Sequence, residues 1–552
     1  MAAPKHFEVR RKPLTSRDIA FLGLHDGPMD GASDDPLHNL DPYGTLRDKT
    51  WRAPAAWLLK LLEEARAGLV AACPDAADAD AMAPTVSLNP PAWTLGHVAF
   101  TFDAVVADPL QLDKRTAGGV VRADAWRLYD SIRVSHAERW EMHANGILPD
   151  LTAGGQYLAD VHKQVADLIR DRSTFPTEGD KEATGCGGAV LHPVLTYLVL
   201  YAIIHELWHT EDLIHTRQIH RLPPPPPYAP TAPRGSNGVA CDTHPYSTSP
   251  REVTPDIAIP GGLFFLGAAK GGSGLVFDCE KWEHPLMIRP FHIGRDCVTN
   301  TEYQQFVEAG GYEDERWWSH EGQRWLRQSG ATCPWTWIRR GSGNAEAEAE
   351  AKAKAEVKVE AGETAWLMRW FNTEIALPPH WPVSHVNWHE AQAYCMWARR
   401  RLPTEAEWEV ACCGEPTLEG GLAPRKDRQL PWGGYWAEQP LPLERANCGL
   451  RRMRLLDAAA LPASESAWGC RQMIGNVWEW TATTLYPFPG FVMDYPYREQ
   501  SAPWFGSQKV ARGGCFATPD LVARGDYRSF YHPTKRPEIC IGFRTCALGD
   551  AA

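Results

Sequence analysis

Apolar residues recur three to four positions apart through the first 220 positions of the chain. The stretches 51–72, 93–106, 124–145, 156–172 and 191–220 each gather them on one face, and each predicts an amphipathic helix. Four or more such helices predict an antiparallel bundle. The pattern stops at Leu222. Five prolines, Pro223 to Pro227, and a polar, Pro-rich run to about Pro255 forbid helix and favour extended backbone. Beyond it strands are short: 257–266, 286–293, 509–512 and 541–546. Two helices stand out, 300–308 and 389–400, among loops rich in Gly and Trp. Residues 345–363 alternate Ala with charge and carry no aromatic residue, so they read as a solvated surface insertion. The expected organisation is an α+β chain: an extension (1–45), a helical bundle (46–221), a Pro-rich linker (222–254) and a second domain (255–548).

Composition narrows the class. The 552 residues exceed one ordinary domain, and 44% apolar with 22% charged residues can build cores. The 24 Trp point to packing by large aromatic rings. A net charge of −12 without a basic face argues against binding to nucleic acid or an anionic membrane. The longest apolar run, 190–204, contains Pro193 and ends at His205 and Glu206, so no membrane span is expected. The first residues, MAAPKHFEVRRKPL, lack the apolar core of a secretory signal, and an organelle transit peptide stays compatible with them. Fourteen cysteines without a CxxC pair read as reduced thiols, hence a cytoplasmic protein.

The sharpest chemical signal is His205-Glu206-Leu207-Trp208-His209. Histidines at i and i+4 share one helix face and can chelate one metal. The string is also His-Glu-x-x-His, a zinc-protease signature. The extended protease pattern needs a Gly to turn the chain, where Asp212 stands instead. On a continuing helix His215 would lie about 15 Å beyond His205, too far for the same ion. A third ligand must come from another helix. His97, in Trp93-x-x-Gly96-His97, is the best placed, with His136 as its competitor.

These residues resemble a family. Trp-x-x-Gly-His at 93–97 with His-Glu-x-x-His-x-Glu at 205–211 is similar to the DinB-like bundle of the non-haem iron sulfoxide synthases. The second half agrees independently. Ile259-Pro260-Gly261-Gly262, Arg401-Leu402-Pro403-Thr404-Glu405-Ala406-Glu407-Trp408-Glu409, Gly475-Asn476-Val477-Trp478-Glu479-Trp480-Thr481, Arg512-Gly513-Gly514 and Gly542-Phe543-Arg544 resemble, in order, the formylglycine-generating-enzyme fold, a C-type-lectin-like α+β domain. The resemblance implies an Fe(2+)- and O2-dependent enzyme of ergothioneine biosynthesis. It would join a cysteine-type thiol to the imidazole of hercynine (trimethylhistidine). His97, His205 and His209 would be the iron ligands. Tyr497, with Tyr495 as the fallback, would be the catalytic proton donor. Arg133 and Arg139 would clamp a substrate carboxylate. A structural Ca(2+) in the second domain stays open.

The departures bear on substrate. Mycobacterial-type members carry Gln just before the second helix histidine, where Trp208 stands here. Their Arg-Asn-Trp-Asp segment becomes Arg528-Ser529-Phe530-Tyr531. Loss of that Asp disfavours a γ-glutamylcysteine donor and favours free cysteine. Trp208, Phe530 and Tyr531 could form an aromatic cage for a quaternary ammonium. A selenoneine-type or ovothiol-type synthase, and a non-catalytic binding protein on the same scaffold, are the alternative readings. The paired cysteines that a formylglycine-generating oxidase requires after Arg-Gly-Gly are missing, since Cys515 is followed only by Cys540 and Cys546.

Overall fold

The computed structural model describes residues 51–85, 87–107, 124–175, 188–225, 255–270, 275–340, 366–425, 428–434, 440–494 and 500–549. The extension 1–45, most of the 222–254 linker, the 345–363 insertion, Tyr495 and Tyr497 lie outside them. Within them the fold is α+β. Long helices fill the first part and every strand lies beyond it. No helix among the described residues is long and apolar enough to cross a membrane.

Helices α1 (Ala55–Ala72), α2 (Pro91–Phe102), α3 (His136–Ala144), α4 (Leu151–Arg172) and α5 (Pro193–Ile219) make the first part. α2 packs on α4 and α5, and α1 packs on the same two. The start signals are local. Pro91 and Pro193 occupy first-turn positions, where a missing N–H costs nothing. Pro193 thus begins α5 rather than interrupting it. The single helix expected over 124–145 is divided. A short turn of helix, Ala125–Leu128, precedes a loop, and Ser135 with Glu138 then caps α3 reciprocally. Residues 195–206 of α5 are buried all round, as befits a helix covered on both sides.

One side of α5 faces the bundle, and the other meets the second part. Glu211 lies between them. Its Oε1 accepts from Trp478 Nε1 (2.9 Å) and Cys515 Sγ (3.2 Å), and its Oε2 from Thr518 Oγ1 (3.0 Å). Further along, Gln218 Oε1 accepts from the Phe371 amide (3.2 Å).

The second part comprises four small sheets. The orders are β1-β4-β13-β8, β11-β10-β9-β12, β2-β3 and β5-β6-β7, with β9–β12 the parallel pairing. Here β1 is Ile257–Ile259, β2 Gly262–Leu266, β3 His284–Ile288, β4 Phe291–Ile293, β5 Trp337–Arg339, β6 Trp366–Trp370, β7 Thr373–Ala376, β8 Arg400–Arg401, β9 Trp478–Thr484, β10 Lys509–Arg512, β11 Ser529–Tyr531, β12 Ile541–Gly542 and β13 Cys546–Ala547. The strand expected over 257–266 breaks at Pro260-Gly261. A Cβ on Gly261 would sit 2.6 Å from the Ile288 carbonyl oxygen, so only Gly lets these two chains meet. The strand over 286–293 breaks at Pro290, which has no N–H for a ladder. Helices α6 (Asn300–Glu308), α7 (His320–Ser329), α8 (Trp388–Trp397) and α9 (Glu405–Cys413) flank the sheets.

With so little regular structure, buried ion pairs tie distant loops together. Arg512 Nη2 donates to Glu405 (2.7 Å) and Glu409 (2.9 Å), and Arg528 Nε donates to Glu405 (2.6 Å). Arg544 grips both oxygens of Glu479 (2.6 and 2.7 Å), which also accepts from Trp408 Nε1 (2.9 Å). Burial alone would raise the Glu405 carboxyl, but Arg528 and Arg512 hold it below its usual value. Four of the five sequence strings therefore supply halves of these pairs.

Removing one partner leaves a buried charge. Arg544→Met is expected to destabilise the chain by about 3–5 kcal/mol in denaturant titration. Arg327→Met, at the exposed Glu315 pair, should leave the midpoint unchanged. Equal effects would contradict the assignment. Asp278 makes a pH prediction. Burial, then the charge of Asp494, pushes its carboxyl up to about 7 from 3.8. An acid raised on folding costs nothing below its unfolded value, and its penalty grows as pH rises from that value and is complete above the folded one. Asp278→Asn should therefore raise the Tm most at pH 8 and least near pH 4. A gap independent of pH would refute this.

Candidate metal centre

α2 and α5 bring three imidazoles together. The ring centroids are 5.0 Å apart for His97–His205, 5.1 Å for His97–His209 and 4.6 Å for His205–His209. One nitrogen from each ring lies within 4.8 Å of the other two. The second contacts of the rings orient them. His97 Nδ1 is 2.8 Å from the Tyr129 carbonyl oxygen, which only accepts, so Nδ1 carries the proton and Nε2 keeps its lone pair. His209 Nδ1 is 3.0 Å from Asp212 Oδ2, the carboxylate–histidine arrangement common behind metal ligands. Burial first, and the neighbouring imidazoles second, hold His97 and His205 well below their usual value. Neutral rings are the state that binds a metal. Three converging nitrogens, on two buried rings and one half-buried ring and with two of the rings fixed from behind, fit a divalent cation of the imidazole-binding class.

The Trp-x-x-Gly-His string has a mechanical reading. Trp93 stacks on His97 (centroids 4.4 Å, planes 17° apart) and donates to the Leu128 carbonyl oxygen (2.8 Å). The Arg139 guanidinium lies 4.0 Å over the Trp93 ring. Its N–H groups go to Val134 O, Asn89 Oδ1 and Ser131 O, so it braces the ligand helix. A Cβ on Gly96 would stand 2.1 Å from the Tyr129 ring. Gly96 thus lets Tyr129 come close enough for its carbonyl to hold His97.

His136, the competing third ligand, is elsewhere; its Nε2 is 2.9 Å from the Thr85 carbonyl oxygen. Glu206 does not face the histidines. Its carboxylate is fully buried against His162 of α4, with Oε2 3.0 Å from Nε2. A protease would need that carboxylate beside the metal-bound water, so the zinc-protease reading fails here. α5 continues through Asp212, as its sequence implies, and carries His215 away towards the second part.

Around the centre, Trp208 is 6.4 Å from the His205 ring and 5.3 Å from Phe277. Phe277 also meets Tyr201 (6.1 Å) and Tyr527 (5.9 Å). Ser529, Phe530 and Tyr531 form β11, with Phe530 opposite Val510. Alternation puts Ser529 and Tyr531 on one face and Phe530 on the other, so Phe530 and Tyr531 cannot share a cage. Tyr531 packs on Trp478 (6.1 Å) and Trp480 (6.4 Å). Arg528 is buried on Glu405. Arg133 is largely exposed beside Asp130 (3.1 Å). Tyr497 falls outside the described residues. Phe277 and Tyr527 had no signal in the sequence. Asp212 did, being three residues past His209 on a helix.

Gly96→Ala and Asp212→Asn should each weaken metal binding about 10–100-fold, measured by anaerobic titration of the stripped protein. Gly155→Ala, whose new Cβ would meet nothing within 4 Å, should bind like the unaltered chain. Equal affinity in all three would reject the supporting contacts.

The family model described as Sulfatase-modifying factor enzyme 1-like domain matches residues 243–547. A hercynine oxygenase of Mycolicibacterium smegmatis is 30% identical over 462 residues, covering 83% of this chain and 90% of the relative. One of Mycobacterium tuberculosis is 30% identical over 461 residues with the same coverage. A formylglycine-generating enzyme of Streptomyces coelicolor is 29% identical over 323 residues, 54% of this chain and 90% of that enzyme. That match spans about half of this chain, whereas the oxygenase matches span too much of it to lie in the second part alone, so the chain belongs to the hercynine oxygenase family, with a sulfatase-modifying factor enzyme 1-like domain as its second part.

Proposed function

We propose that the chain is an iron(II)- and O2-dependent sulfoxide synthase joining a cysteine-type thiol to the imidazole of hercynine. The observation that carries the reading is the cluster of His97, His205 and His209, two buried and one half-buried, beside the junction of the two parts. The relatives called hercynine oxygenases support the acceptor. Iron(II), held by His97, His205 and His209, would supply the one-electron chemistry that oxygen requires. The ligand helices and their backing contacts hold it in place, with residues 46–221 as the bundle and 255–548 as the second domain. Reduced conditions of a cytoplasmic kind suit it, since every described cysteine is unpaired.

Trp208 and Phe277 are the proposed aromatic wall for the trimethylammonium group, with Tyr527 behind them. Tyr531 offers a ring where a carboxylate would be needed to pair with a γ-glutamyl amine, which favours free cysteine as donor. Arg139 and Arg528 are engaged by protein acceptors and act by holding the walls. Arg133 is the arginine proposed to reach a substrate carboxylate. Tyr497 keeps the proposed role of proton donor.

Anaerobic loading with iron(II), then oxygen uptake and product mass, tests this. Hercynine and histidine are crossed against cysteine, γ-glutamylcysteine and a selenosugar. The expected product is the hercynine–cysteine sulfoxide, lost in His97→Ala. Tyr497→Phe should shift product towards cysteine sulfinate. No uptake in any pair, with iron stoichiometric, would overturn the reading.

A further inference from the structure

A second cluster of ligand atoms lies further along the same helix. Glu211 and His215 stand at i and i+4 on α5, as His205 and His209 do. Glu211 is two residues past His209, roughly 200° around the axis, so the second pair looks away from the first. It looks at Cys515, in the loop after β10. The Glu211 carboxylate, His215 imidazole and Cys515 sulfur offer atoms all within 4.8 Å of one another. Cys515 Sγ is 3.2 Å from Glu211 Oε1, and His215 Nε2 is 3.8 Å from that oxygen. Tetrahedral zinc, with ligands at about 2.0–2.3 Å, needs neighbouring ligand atoms about 3.3–3.8 Å apart.

Two further observations point to a ligand. His215 Nε2 is buried and has no hydrogen-bond partner, on a side chain only 3% exposed. The ring of His385 lies 6.3 Å from that of His215, and its Nε2 is likewise buried without a partner. Glu211 is meanwhile fixed from behind. Trp478 Nε1 and Thr518 Oγ1 donate to its two oxygens, the kind of outer contact that sets a ligating carboxylate.

We propose that Glu211, His215 and Cys515 form a second metal site that takes a thiophilic divalent cation such as zinc. It ties α5 to the second part of the chain. One thiolate, one carboxylate and one imidazole balance the two charges of the ion, and sulfur with nitrogen selects zinc over calcium or magnesium. Binding breaks the Cys515 S–H bond and releases that proton to solvent, with no change of oxidation state. His385 is the candidate for the fourth position. The site is separate from the three-histidine centre and does not depend on the reaction assigned to it.

The test uses cobalt(II) as the probe on the full chain stripped with a chelator. Two cobalt ions per chain are expected, with a near-ultraviolet thiolate-to-cobalt charge-transfer band. Cys515→Ser should lose the band and one ion, as should His215→Gln. His205→Ala should lose the other ion and keep the band. One ion without the band, or a band that survives Cys515→Ser, would overturn the site. On the unaltered chain loaded with zinc, X-ray absorption should show a sulfur neighbour. A shell of nitrogen and oxygen alone would also overturn it.

Discussion

Glu211 carries the junction on which the rest of the molecule depends. A carboxylate buried between two halves of a chain is costly unless its lone pairs are filled. Here Trp478, Cys515 and Thr518, all from the second part, fill them. The residue stands two positions beyond His209. Docking of the second part therefore fixes the rotation and height of the helix that presents His205 and His209. The histidine cluster and the interface share one helix, and a shift in either is felt by the other.

The second part solves a different problem. It has short strands, long loops and many Trp, so backbone ladders alone could not define it. Buried Arg–Glu pairs take over. Glu405 on α9 meets Arg512 at the end of β10 and Arg528 beside β11, and Glu479 of β9 meets Arg544. Such pairs add little net stability over apolar replacements, but breaking one is severe. They act as registration pins. Trp478 and Glu479 are neighbours on β9, one pinning the interface and the other the domain.

Much of this was legible in the chain. Helical periodicity located α1 and α4 to within a few residues because each buries one continuous face, and α2 and α5 because long apolar runs mark helices buried on every side. The i, i+4 spacing of His205 and His209 put both rings on one helix face, because helix geometry sets those positions side by side. The errors have local causes. The 124–145 helix was overextended because its apolar pattern runs through a Ser135–Glu138 cap, which restarts the helix. The expected cage of Trp208, Phe530 and Tyr531 failed because consecutive strand residues face opposite ways.

The sequence by itself determined the helices, the two histidines on one helix face and the strings that mark the family, since each rests on neighbours within a turn or a strand. Tertiary structure alone decided the rest. It chose His97 over His136, because only the packing of α2 on α5 brings one of them within reach. It turned Glu206 into the bundle core against His162. It set Phe277 beside Trp208, and Cys515 beside Glu211 and His215. These partners are separated by tens to hundreds of residues, and no periodicity or spacing encodes a contact that only the closing of the fold creates.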